Sequence, residues 1–140
     1  MTPDPTWAHL GQSINCDGYL IRPDLIAMIP FPDTRETEDT ARANLQFQAD
    51  YWRKQGHGGG VAIAMDPIIE QDAGARAVYS DEAGAVGSLC FALISESMFA
   101  QAAASVYTGL AKPDAPIQVF AKLEDALPWI DETLSRAKAS

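Results

Sequence analysis

The stretch KQGHGGGVAIAMD (residues 54–66) places four glycines and one histidine directly before an uninterrupted apolar run. Glycine-rich loops that bind phosphate, and His-Gly-Gly-Gly oxyanion holes, come after a strand, where backbone N–H groups or a helix N-terminus point at the anion. Here the glycines come after a helical pattern and before a predicted strand. We therefore interpret them as a helix-to-strand connection, in which Gly56 ends the helix and His57 is an exposed loop residue.

The apolar run at residues 61–65 predicts a strand that is buried on both faces, because a half-exposed strand would alternate apolar with polar residues. A second run of this kind, SLCFALIS, spans residues 88–95. A short helical pattern separates the two runs, and a strand–helix–strand connection produces parallel strands through a right-handed crossover. We expect the two strands to be neighbours in the centre of a parallel sheet.

The residues before this stretch predict a hairpin followed by a long helix. GYLI (18–21) and LIAMIPF (25–31) are predicted strands, joined by an Arg-Pro-Asp turn. Asp33 is the predicted helix cap, with Glu36 as the third residue of a capping box, and basic residues suit the C-terminal end of the helix.

One stripe of this helix is apolar at helical spacing and is predicted to face the core. The stripe comprises Ala41, Leu45, Ala49 and Trp52. Phe47 and Tyr51 lie on its flank, where they either widen the buried face or form an exposed contact patch. Burial is the more common fate of helical aromatic residues.

Further along the chain, Asp72 precedes a short helical pattern, ESMFAQAAASVYTG (96–109) predicts a helix, and IQVF (117–120) predicts a strand. A final helix has an apolar face made of Ala126, Ile130, Leu134 and Ala137. This order predicts a single-domain α/β sandwich with a mostly parallel central sheet of about five strands, an N-terminal antiparallel hairpin and about four helices. Residues 17–140 would form the domain, after a partly disordered leader over residues 1–16.

Charge and composition narrow the classes of partner. Ten Lys and Arg against 19 Asp and Glu give a net charge of -9, which repels nucleic-acid backbones and anionic membrane surfaces. We therefore expect neither nucleic acid nor membrane as a partner. Without an apolar run of membrane-spanning length or a signal-like N-terminus, we expect a cytoplasmic protein, in which Cys16 and Cys90 are free thiols.

Four segments together resemble the STAS superfamily, the fold of bacterial anti-sigma factor antagonists. They are DGYLI (17–21), VAIAMDP (61–67), CFALIS (90–95) and PIQVFAKLEDALPWI (116–130). The resemblance extends over roughly residues 17–134 and implies a STAS-like sandwich.

The resemblance also implies a candidate regulatory position. In regulated members of the superfamily, a serine at the start of the helix after the VAIAMD-like strand is phosphorylated, and the Asp-Ser-Ser-Gly pattern around it falls on residues 71–74. The acceptor position is Ala73, which cannot carry a phosphate. Asp72 either supplies a fixed negative charge in its place or simply caps the helix.

No catalytic arrangement is expected from the sequence. The two histidines and two cysteines lie at distant positions, and Asp66, Glu70 and Asp72 lack the spacing of a calcium loop. We therefore expect no enzymatic activity, no cofactor and no metal site.

Two functions are favoured, and an enzyme of unrecognised chemistry comes third. The leading one is a non-enzymatic regulatory or protein-interaction module that binds a protein partner or a second copy of itself. Its proposed partner-binding edge comprises Asp66, Pro67, Glu70, Gln71, Asp72 and Ala73. The alternative is a carrier of a lipid or another apolar small molecule, with a cavity between the helices and the sheet. The residues proposed to line it are Met28, Met65, Phe91, Met98, Phe99 and Tyr107, although such residues are more often ordinary core.

Overall fold

The computed structural model describes residues 1–97 and 116–139. The strands are β1 (Ala8–Gln12), β2 (Cys16–Arg22), β3 (Leu25–Pro30), β4 (Thr34–Glu36), β5 (Gly59–Ala64), β6 (Ile68–Gln71), β7 (Ser88–Ile94) and β8 (Ile117–Phe120). The helices are α1 (Glu38–Gln55), α2 (Ala73–Glu82), which continues into a 3-10 helix (Ala83–Ala85), and α3 (Leu123–Ala139). The helix predicted over residues 96–109 lies outside the described residues, apart from its first two positions.

Within the described residues, six strands form one sheet in the order β1-β2-β3-β5-β7-β8. The first two pairs are antiparallel and the three pairs from β3 to β8 are parallel. β5 and β7 are parallel neighbours, with Val61 opposite Phe91 and Ile63 opposite Leu93. The predicted hairpin and the predicted central parallel pair are confirmed, and the fold is α/β with a mostly parallel sheet. A separate two-stranded parallel sheet joins β4 and β6.

The N-terminal segment departs from the prediction. The sheet has six strands rather than about five because β1 pairs antiparallel with β2 along its edge. The prediction of a partly disordered leader over residues 1–16 is therefore wrong for Ala8–Gln12. Gly11, at φ 130°, lies beside an irregularity in the β1–β2 register, and this interrupts the alternation that would have revealed the strand. A contact of 2.9 Å between His9 Nε2 and Asp17 Oδ1 also links β1 to β2.

Helix α1 begins later than predicted. Its N-cap is Thr37, whose side chain accepts a hydrogen bond from the Thr40 backbone N–H, while the Thr40 hydroxyl accepts one from the Thr37 N–H. Asp33 and Glu36 are therefore not the capping box. The residues before Thr37 pair with β6 instead, which makes Glu36 the last residue of β4. The helix ends as predicted, at Gly56 in the left-handed conformation with φ 76°.

Helices cover both faces of the sheet. Alternation along β5 directs Val61 toward α1 and α2 and its neighbour Ala62 toward α3. The core on the first face includes Ile26, Met28, Ala41, Leu45, Trp52, Val61, Val78 and Phe91. The core on the second face includes Leu25, Ala62, Cys90, Ala92, Ala126, Ile130 and Leu134. The described elements thus form three layers, with β5 and β7 buried in the middle one.

Gly56, His57 and Gly58 form the predicted helix-to-strand connection, His57 is exposed, and Gly59 and Gly60 already belong to β5. Gly59 is required there by a close approach between β5, α1 and the turn after β2. A Cβ atom at this position would collide with the Trp52 ring and with the Asp24 carbonyl oxygen.

We predict that Gly59→Ala destabilises the domain, because the carbonyl oxygen of Asp24 belongs to the backbone and cannot move aside cheaply. Overpacking of this kind lowers the free energy of unfolding by about 1–3 kcal/mol, which urea denaturation would measure. Gly60→Ala is the matched control, since its Cβ would meet only side-chain atoms, the nearest being Cys90 Sγ at 3.2 Å. Equal stabilities for the two variants would contradict the close-approach argument.

Candidate functional site

A cavity of about 50 Å³ lies between the sheet and helices α1 and α2. Its lining includes residues near the carboxyl ends of the parallel strands, which is where ligands commonly bind in open α/β sheets. The apolar wall includes Met28, Ile63, Met65, Phe91, Leu93 and Ile117. The polar lining comprises Cys16, Glu36, Asn44, Gln48, Gln71 and Tyr79. The volume holds about three water-sized groups.

The residues proposed from the sequence to line a ligand cavity fall partly on this cavity and partly outside the described residues. Met28, Met65 and Phe91 line it, as expected for a cavity between helices and sheet. Met98, Phe99 and Tyr107 lie outside the described residues. Three of the six proposed residues thus line one cavity, and the polar side chains around it were not part of the proposal.

Glu36 is the buried carboxyl group of the site, with a residue exposure of only 3%. Glu36 is the last residue of β4, just before α1 begins, and its side chain is buried in the domain instead of capping the helix. One carboxyl oxygen accepts a hydrogen bond of 2.6 Å from the Thr40 hydroxyl, and the other accepts one of 3.3 Å from Asn44 Nδ2. Burial raises the pKa of Glu36 above its usual value of 4.5, and the hydrogen bond from Thr40 partly opposes this rise.

Asn44 connects three parts of the fold. Its side-chain nitrogen lies 3.0 Å from Asn15 Oδ1 and 3.2 Å from the Tyr79 hydroxyl oxygen, and its side-chain oxygen accepts a hydrogen bond from Ser13. These contacts hold α1 against the β1–β2 turn and against α2. The Asn15 Nδ2 atom, which is buried, has no hydrogen-bond partner of normal geometry among the described residues. The network is therefore not fully satisfied by the described part of the chain.

Gln48 is one helical turn further along α1 and is 1% exposed. Its side-chain oxygen accepts a hydrogen bond of 2.9 Å from the Ser88 hydroxyl, whose oxygen accepts one of 3.0 Å from Trp52 Nε1. The Gln48 Nε2 atom donates no hydrogen bond to a residue that the structure describes. This amide donor of a cavity-lining residue thus has no partner within residues 1–97 and 116–139.

The thiol and the phenol of the site stay protonated at neutral pH. Burial, with a smaller effect from the nearby Glu36 carboxylate, raises the pKa of the Cys16 thiol to about 12. Burial also raises the pKa of the Tyr79 hydroxyl well above its usual value. Cys90, on the other face of the sheet, has a pKa raised by burial to about 12. Both cysteines are free, as predicted, and neither is activated as a thiolate.

The edge proposed for partner binding makes several contacts within the domain. Asp66 accepts hydrogen bonds of 2.7 Å from the Ser95 hydroxyl and 3.0 Å from the Glu96 backbone N–H. The Pro67 carbonyl oxygen accepts a hydrogen bond of 3.0 Å from the Thr34 N–H. This segment therefore holds β5, β7 and β4 together.

The second half of that edge leads into α2. Glu70 forms an ion pair with Arg35, and Gln71 lines the cavity. Asp72 is the N-cap of α2 and accepts a hydrogen bond of 2.8 Å from the Ala75 N–H, as expected for a cap. Ala73, at the position of the phosphorylated serine in the STAS resemblance, is exposed at the first position of α2.

Phe47 and Tyr51 are half-buried and lie against the core on the α1 and α2 face. The Phe47 ring lies so close to β2 that a Cβ atom at Gly18 would collide with it. The first alternative, a widened buried face, is therefore the better description. Among the described residues, the large hydrophobic side chains that are exposed are Ile14 at 62% and Ile69 at 52%.

A metal site and a membrane-spanning helix each have structural requirements that can be checked among the described residues. Within residues 1–97 and 116–139, no group of three or more His, Cys, Asp or Glu side chains is placed to hold a metal ion. Over the same residues, no helix combines the length and the apolar content needed to cross a membrane.

We predict that Glu36→Gln changes how stability depends on pH. Because the pKa of Glu36 is raised on folding, the folded state binds the proton more tightly than the unfolded state, so the wild type loses stability as the pH rises above 4.5. The variant lacks this titration, and its free energy of unfolding should fall less as the pH rises above 4.5. Urea denaturation across this range tests the difference in slope, with the exposed Glu124→Gln as the control. Parallel curves for wild type and Glu36→Gln would contradict the assignment.

Comparison with known proteins adds a family but no activity. No curated protein sequence matches the chain significantly. A family model described as "Domain of unknown function (DUF7793)" matches residues 34–134, which include Glu36, Asn44, Gln48 and Tyr79. Since the match extends over most of the sequence, the chain belongs to this family of domains of unknown function, DUF7793.

Proposed function

We propose that the domain binds a compact, mostly apolar small molecule in the cavity between the sheet and helices α1 and α2. The observation that carries this proposal is the convergence of polar side chains from separate elements on one cavity with an apolar wall. A well-formed apolar pocket with a few convergent polar groups is the usual form of a small-molecule site. A raised carboxyl pKa, here that of Glu36, is also common in such sites.

The unsatisfied donors support binding over a purely structural role. A buried amide without a partner costs about 1–3 kcal/mol, and cores selected only for stability rarely retain such groups. Among the described residues, Asn15 Nδ2 beside this cavity is a buried amide nitrogen of this kind, and Gln48, which lines the cavity, donates no hydrogen bond from Nε2 to them. A bound molecule, or water when no molecule is bound, would accept hydrogen bonds from Gln48 Nε2, the donor of the residue that lines the cavity.

The size of the cavity restricts the ligand. A volume of about 50 Å³ accepts about three water-sized groups, so the described walls leave no room for a long acyl chain. The proposal therefore retains the apolar small molecule expected from the sequence and gives up the lipid. It is a binding function without turnover.

The regulatory-module function and the STAS relationship remain proposals beside this one. A hairpin followed by parallel strands with intervening helices is compatible with a STAS-like sandwich. The proposed edge offers few free groups, because Asp66, Glu70 and Asp72 already contact other parts of the domain. The exposed Ile69 on β6 is the feature that favours association with a protein partner or a second copy.

The expected absence of nucleic-acid and membrane partners likewise stays a prediction, since it rests on the net charge of -9.

Binding can be tested by filling the cavity. Ala83 lines it and is 5% exposed, so Ala83→Leu places additional carbon atoms where the ligand would lie. Small apolar compounds should shift the NMR signals of the Met28 and Met65 methyl groups in the wild type. Binding should weaken about tenfold or more in the variant, since overpacking of 1–3 kcal/mol would have to be overcome.

Ala77→Leu, on the exposed side of α2, is the matched control and should bind like the wild type. A purely protein-binding module would give no saturable shift with any small compound. Equal binding by Ala83→Leu and the wild type would also overturn the proposal.

A further inference from the structure

We infer that the molecule bound in this cavity is neutral and carries a hydrogen-bond-accepting oxygen, such as a small ketone or amide carbonyl, which Gln48 Nε2 recognises. This inference rests on the proposed binding function and specifies the chemical class of its ligand.

The orientation of the Gln48 amide follows from its neighbours. Trp52 Nε1 can only donate, so the Ser88 oxygen accepts that hydrogen bond at 3.0 Å. The Ser88 hydroxyl hydrogen is then available for Gln48 Oε1, which lies at 2.9 Å. With its oxygen directed at Ser88, which does not line the cavity, the amide has its two N–H donors left for the cavity.

The charge of the walls formed by the described residues disfavours an anionic ligand. No Lys, Arg or His lines the cavity in the part of the chain that the structure describes, whereas Glu36 contributes a carboxyl group. A carboxylate or phosphate would therefore enter a poorly solvated site without a counter-charge, next to an acidic residue, which is strongly unfavourable.

A cationic ligand is also disfavoured. The two oxygens of Glu36 already accept hydrogen bonds from Thr40 and Asn44, so the carboxyl group is committed to holding α1 in place. Without rearrangement, the cavity offers an amide donor beside an apolar wall. This combination suits a neutral ligand that accepts a hydrogen bond.

A set of four planar probes of equal heavy-atom count separates these classes. Acetone presents a neutral acceptor, isobutene replaces its oxygen by a methylene group, acetate is the anion and acetamidinium is the cation. Titrations followed on the Met28 and Met65 methyl signals give an affinity for each. Acetone and isobutene should bind to the wild type, and the two ions should give no saturable shift.

Gln48→Met removes the donor and keeps the side-chain length. The ratio of acetone affinity to isobutene affinity should fall about 2- to 10-fold in this variant, which is the usual effect of one lost hydrogen bond. The exposed Gln46→Met on the same helix should leave the ratio unchanged. The ratio is informative even if Gln48→Met is less stable, because both probes report on the same folded molecules.

A measurement on the wild type supplies an independent test. Acetone, but not isobutene, should shift the Gln48 side-chain amide N–H signals as the hydrogen bond forms. An unchanged ratio in Gln48→Met, an unmoved amide signal, or acetate binding as tightly as acetone would overturn the inference while leaving a binding cavity in place. Failure of all four probes, including isobutene, would overturn the proposed function as well.

Discussion

β5 and β7 pair in parallel and are buried on both faces, so the other elements must either cover them or extend their sheet. Parallel neighbours cannot be joined by a tight turn, and the chain therefore leaves the sheet between them and returns through α2. The same burial explains the glycines at the start of β5, where α1 and the turn after β2 approach so closely that Gly59 has no space for a side chain. The layers and the connections follow from this single pairing.

The cavity is a consequence of how α1 and α2 cover the sheet near the carboxyl ends of its strands. β4 and β6 intervene there as a small separate sheet, and they bring Glu36 and Gln71 to the cavity wall instead of leaving them in solvent. The resulting network combines hydrogen-bonded groups, such as Asn44, with donors that have no partner among the described residues, such as Gln48 Nε2. An amide donor at a cavity wall with no partner among the described residues is available to a ligand, which is why we propose that this one takes part in binding.

Much of the fold was predictable because burial leaves a direct trace in the sequence. The runs at 61–65 and 88–95 are apolar throughout since both faces of β5 and β7 are covered. β1 was not predicted because Gly11 breaks its pattern, and Glu36 was taken for a capping residue because pairing of β4 with β6 depends on residues more than thirty positions apart. For the same reason the polar part of the site escaped prediction. Asn44 and Gln48, spaced by one turn beside the apolar stripe of α1, are the signal that could have indicated it.

The proposed binding function depends on what occupies the cavity. A high-resolution crystal structure of the protein purified from its own cells would show this directly. We expect a compact molecule against Met28 and Met65, with a neutral oxygen about 3.0 Å from Gln48 Nε2. A cavity closed by protein side chains, or one in which ordered water alone satisfies the Gln48 amide, would contradict it.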